Sequence, residues 1–189
     1  MTDDVLFRAF TPDLEIRSDG DGRTIRGIAV PYSQAVRIDA RLTEQFARGA
    51  FNHQLRAANR VKLARGHLPM GGSLIGRATL LRDDAAGLYA ELRVSETPLG
   101  DETLALVKDG ALTDLSIGFR ERKNRNLPGG ITERVKADLS EIGVVLEGAY
   151  GALATVSGVR AVNDDLAEVE ARIAEARQIL ATLPPLPIS

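Results

Sequence analysis

Apolar and polar side chains alternate along Leu112–Phe119. Leu115, Ile117 and Phe119 fall on one face of an extended chain, and Asp114, Ser116 and Gly118 on the other. The first set needs a core. The second presents a hydroxyl, and two positions on a residue with no side chain, which leaves room for another backbone to approach. By itself the octapeptide describes a half-buried strand with a solvated serine. Its value is that the same alternation recurs. In Leu88–Val94, Leu88, Ala90, Leu92 and Val94 oppose Tyr89, Glu91 and Arg93. Leu74–Leu81, Arg60–Arg65 and Thr24–Val30 repeat it more loosely.

Turn residues punctuate these runs. Ser18–Gly22 separates Leu14–Arg17 from Thr24–Val30, a pattern that predicts a first hairpin, and Pro31 stops its second strand. Ala35–Asp39 offers a further short strand. Phe46 and Phe51 flank Gly49, so two aromatics anchor a turn to the core, and Asn52–Asn59 reads as helical. His67 stands at the end of the Arg60–Arg65 strand, where Gly66 and Pro69 break the backbone. Thr97-Pro98 opens a helix whose apolar side carries Leu99, Leu104, Leu106 and Val107, with Gly110 as its natural stop. Arg120–Arg125 is a short basic run expected at a solvated hairpin tip. Asn126–Gly130 is a turn, and Ile131–Ala137 returns as a strand.

Leu139–Leu146 is apolar on both of its alternating faces, which predicts burial on both sides and makes Glu141 an outlier, because a carboxylate seldom goes inside without a partner. Ala154–Val156 is a last short strand. From Val162 an apolar stripe of Leu166, Val169, Ile173, Ala176 and Leu180 appears at helical spacing, before a Pro-rich end. That stripe packs on its own barrel or serves self-association through Val162–Leu180. Together these signals predict a mainly β fold with peripheral helices (α+β), a closed or nearly closed β-barrel. The expected division is a domain over residues 1–160 and a C-terminal amphipathic helix with its tail over 161–189.

Composition removes several chemistries. Among 189 residues there is no cysteine, and His53 and His67 are the two histidines. Disulfides, thiolate metal sites and cysteine nucleophiles are excluded, and a multi-histidine metal site is not expected. A formal net charge of −2 offers no electrostatic argument for nucleic acid or anionic lipid. The start, Met1–Val5, lacks the basic and apolar regions of a signal peptide, and no apolar run approaches a bilayer span.

Three residues remain to be weighed together: His67, Ser116 and Glu141. A serine hydroxyl is a poor nucleophile until a base takes its proton, and imidazole suits that task. A carboxylate on the second ring nitrogen fixes the tautomer and stabilises the imidazolium. Asp114 shares the Ser116 face and is a second candidate acid. His53, in a polar stretch, reads as surface. Taken singly, His67 suits a loop histidine and Glu141 a structural ion pair.

Several segments follow one another in a familiar order: Arg26–Tyr32, Glu44–Phe51, His67 after a strand, Ile75–Arg77, Gly87–Glu91, Leu115–Phe119 and Leu139–Val145. From about Arg26 to Arg160 the chain resembles the tailed-bacteriophage prohead maturation proteases, relatives in fold of the herpesvirus assemblins. The resemblance implies an assemblin-type barrel and a serine endopeptidase that needs no cofactor. In it Ser116 matches the nucleophile, His67 the general base and Glu141 the acid that orients His67. It further implies cleavage of scaffold protein, or of the scaffolding segment of the major capsid protein, inside the immature capsid in the host cytoplasm, with self-processing as an extension. Arginine-linked backbone donors hold the oxyanion in the assemblins, and Arg134 is the candidate for that role. Leu146–Gly151 departs from the family, which often places prolines there. The alternative is a non-catalytic capsid-assembly or scaffold-like protein that keeps the barrel.

Overall fold

The computed structural model describes residues 4–10, 15–16 and 21–146. The expected strand at Ala154–Val156, the helix at Val162–Leu180 and the 161–189 unit lie outside them.

The strands are β1 (Leu6–Phe10), β2 (Glu15–Ile16), β3 (Thr24–Pro31), β4 (Val36–Arg37), β5 (Thr43–Phe46), β6 (Lys62–Arg65), β7 (Ser73–Asp83), β8 (Gly87–Val94), β9 (Asp114–Leu127) and β10 (Ile131–Val145). One α-helix, α1 (Pro98–Lys108), lies between β8 and β9. Short 3₁₀ turns occupy Asn52–Arg60 and Leu68–Met70. The Thr97 hydroxyl caps α1 by accepting from the Gly100 amide at 3.1 Å, as the Thr-Pro start predicts.

All ten strands join one sheet in the order β1-β9-β10-β6-β7-β8-β3-β2, with β5 on β10 and β4 on β5. The longest partnership is the β9–β10 hairpin. The basic run Arg120–Arg125 does not form its tip but continues β9 as exposed strand, and the turn falls after Leu127. Ile131–Ala137 and Leu139–Val145, which alternation separates, are one strand. The free edge of β10 is then shared. Its first residues pair in parallel with β5 (Arg134 with Phe46), its last with β6 (Gly143 with Ala64). The Asn52–Arg60 turns span the gap.

The sheet therefore curls around its apolar face but does not close. The expected closed barrel is replaced by a curled half-barrel whose ladder ends at β1 and β2. Between β3 and β5 there is a single bridge, Tyr32 to Phe46, with the Ser33 amide donating to the Phe46 carbonyl at 2.9 Å. Pro31 has no amide hydrogen and ends β3 there, so that seam cannot extend into a ladder. Inside the curl sit Leu115, Ile117, Phe119, Leu63, Ile142 and Val144, with Phe46 and Phe51 packed ring to ring at 5.5 Å and Phe46 edge-on to Phe119 at 5.0 Å. Burial of each such side chain favours folding by about 1.5–3 kcal/mol.

Candidate active site

Ser116 and Glu141 reach one face of the sheet by different routes. Ser116 follows the simple alternation of β9, pointing away from Leu115 and Ile117. Glu141 depends on an irregularity. Leu139 pairs with Phe119 and Glu141 with Gly118, so Ser140 is an extra residue opposite none: a β-bulge. Strict alternation would put Leu139 and Glu141 on the same face. The bulge leaves Leu139 in the core and turns Glu141 to the Ser116 side, after which Ile142 and Val144 return to the core.

His67 arrives from the neighbouring strand. β6 ends at Arg65, and Gly66, with φ of 73°, reverses the chain. The Gly66 amide donates to the Val144 carbonyl at 3.0 Å. The His67 carbonyl accepts from the amides of Gly72 at 2.8 Å and Met70 at 2.9 Å. These bonds fix the backbone from which the imidazole projects over β10. Gly143, paired with Ser116, makes that crossing feasible: a β-carbon there would lie 2.5 Å from the Gly66 carbonyl oxygen. Gly143→Ala should therefore displace the Gly66–His67 backbone. A stability loss of about 1–3 kcal/mol is expected for the overpacking. A fall in any turnover that depends on this imidazole, by about 100-fold, is expected for its misplacement. Thermal unfolding and substrate cleavage measure the two separately.

The three side chains meet. His67 Nδ1 lies 2.8 Å from Glu141 Oε1, and His67 Nε2 lies 2.7 Å from Ser116 Oγ. An ionised carboxylate only accepts, so Nδ1 carries the proton toward Glu141, and Nε2 presents its lone pair to the Ser116 hydroxyl. Ser116 is 2% exposed and Glu141 4%, and the His67 side chain is 12% exposed. In such surroundings the polar groups interact strongly because water does not compete.

The other candidates are elsewhere. Asp114 is buried on β9, but the imidazole bond goes to Glu141. His53 bonds Asp138 at 2.7 Å at the surface, and Asp138 also accepts from Arg122. Burial works to raise the Asp138 carboxyl, but Arg122 and His53 outweigh it and hold it below the ordinary carboxylate range. Arg134 sits opposite Asn124, far along β10 from the Gly143–Ser116 pair, and its guanidinium binds Glu44 and Glu121, so it belongs to a structural ion network and not to the site. Among the described residues no group of three or more acidic and histidine side chains could hold a metal ion. No described helix is long and apolar enough to cross a membrane.

Two features escape sequence reasoning. The space beside Gly118, expected to admit another backbone, is filled in this structure from within the chain: a β-carbon there would meet the Glu141 side chain at 2.8 Å and the Phe7 ring at 3.0 Å. Phe7, on β1, packs its ring 4.3 Å from that of His67. The Leu6–Phe10 segment has adjacent apolar residues and no clean alternation, so β1 gives little signal.

The family model described as caudovirus prohead serine protease matches residues 12–170. The chain belongs to that family. Among solved structures, the capsid assembly protease of bacteriophage T4, gp21, superposes with a TM-score of 0.52 at 11% identity, covering 75% of this chain and 96% of that one. At that identity the likeness speaks to the fold. No curated protein matches the sequence. The family is one of serine proteases, and its members' name places their work in the phage prohead.

Glu141→Gln keeps the shape of the acid but supplies an amide that can donate to Nδ1 and favour the opposite tautomer. Turnover should fall by about 10⁴-fold, less than on loss of the hydroxyl. Cleavage rates of the purified variants decide this.

Proposed function

We propose that this chain is a serine endopeptidase that cuts scaffold protein, or the scaffolding segment of the major capsid protein, during prohead maturation. The observation that carries the reading is the unbroken hydrogen-bonded line from Glu141 through His67 to Ser116. In the forward step Ser116 Oγ attacks the scissile carbonyl carbon while His67 Nε2 takes the hydroxyl proton. His67 then gives that proton to the departing amine. Glu141 holds Nδ1–H throughout and stabilises the imidazolium between the two transfers. Water reverses the sequence to free the acyl group.

Family membership and the fold shared with a capsid assembly protease support the choice of substrate. The reaction takes place within the immature capsid, where enzyme and scaffold are confined together. Self-processing follows if the chain's own termini present an extended segment to another copy.

Co-expression with the cognate capsid and scaffold proteins tests the reading. Discrete cleavage products, with new termini mapped by mass spectrometry, are expected. Intact capsid and scaffold proteins beside a folded chain would overturn it in favour of a non-catalytic assembly protein.

A further inference from the structure

We propose that β1 is an autoinhibitory strap, seated where an extended segment of substrate must pair, with Phe7 as its plug. The inference rests on the reading of Ser116 and His67 as nucleophile and base. An endopeptidase must bring a peptide carbonyl onto Ser116 Oγ and the leaving nitrogen near His67 Nε2. Neither approach is open here. Ser116 is buried, and the Phe7 ring lies against the imidazole at an interplanar angle of 53°.

The register explains the obstruction. β1 runs antiparallel to β9 from Leu6 opposite Phe119 to Phe10 opposite Leu115, which sets Ala9 directly across from Ser116. The other edge of β9 is taken by β10 along the length of the hairpin. An extended peptide can add to a sheet only at a free edge. The edge nearest the nucleophile is the one that β1 holds.

The attachment is suited to release. β1 is five residues long and terminates the sheet. Leu6 and Phe7 are half-buried, while Arg8 points the other way into the core. There its guanidinium binds the buried carboxylate of Glu44. The strap is thus a hook at Arg8 and a plug at Phe7. A substrate segment with the same backbone pairing would replace β1 on β9 and uncover the hydroxyl.

The test uses the full-length chain and a small fluorophosphonate probe, followed by intact mass. The Ser116 oxygen forms a bond to phosphorus, fluoride leaves and His67 takes the proton. Phe7→Ala removes the plug, and Arg8→Gln loosens the hook. Each is compared with the unaltered chain, with circular dichroism and thermal unfolding to verify folding. Labelling at least tenfold faster in a folded variant, at Ser116 by peptide mapping, is expected. Folded variants labelled no faster than the unaltered chain would overturn the strap and leave the triad standing. No labelling in any form would overturn the reading of Ser116 as nucleophile, and the strap with it.

Discussion

Ser116→Ala should abolish the proposed cleavage of scaffold or capsid protein while leaving the half-barrel folded. The hydroxyl oxygen lies 2.7 Å from His67 Nε2, and an alanine has nothing to attack with. Members of such a triad act as a unit, so losing the nucleophile removes nearly all of what the set contributes, roughly 10⁶-fold in turnover. His67→Ala should cost about as much, and the double variant little more, because neither residue works without the other. Folding should change little. Ser116 is small and lies outside the apolar cluster, and the replacement deletes one buried oxygen together with its hydrogen bond. That bond is worth about 1 kcal/mol, and Nε2 is left without its donor. Cleavage assayed by gel and mass spectrometry, beside a thermal melt, separates the two effects. Cleavage retained by a pure Ser116→Ala protein would remove Ser116 from the mechanism.

Glu44→Ala should be the most destabilising single change outside the site. Glu44 on β5 is 2% exposed and accepts from two guanidinium groups, Arg8 of β1 and Arg134 of β10, the latter at 2.8 Å. Arg134 also binds Glu121 on β9. Four strands therefore converge on one small buried network. Taking out the shared carboxylate leaves two buried cations facing each other without it, and such losses cost about 3–5 kcal/mol. Against a total stability of about 5–15 kcal/mol, this is a large fraction. A lowered denaturant midpoint at unchanged slope is the expected reading. Glu44→Gln, which still accepts hydrogen bonds, should recover part of the loss. A midpoint unchanged in both variants would show that the network contributes nothing to folding.

The sequence made the strands around the site legible because each carries its own alternation. Leu88–Val94 and Leu115–Phe119 state their inner faces without reference to any partner. The three candidate side chains that the structure brings together were legible for a related reason: few residues in a cysteine-free chain with two histidines could activate a serine. Closure was harder to read. Whether a sheet meets itself depends on the last hydrogen bonds between β3 and β5, where Pro31 limits the seam to one bridge. Arg8, Glu44, Glu121 and Arg134 are far apart along the chain, and no local pattern announces that they converge. β1 was invisible because its position comes from the edge of β9 and not from its own residues. The bulge at Ser140 was hidden as well, since a period of two counts every residue and cannot signal an extra one.

That extra residue sets the phase of the face that carries Ser116 and Glu141. Between Leu139 and Glu141 the strand changes parity once, and every side chain downstream inherits the change. Removing Ser140 alone would leave Leu139 opposite Phe119 and Glu141 opposite Gly118, a regular alternation with the carboxylate still on the Ser116 side. The pairing with β9, and not the residue count along β10, therefore keeps the carboxylate turned toward His67.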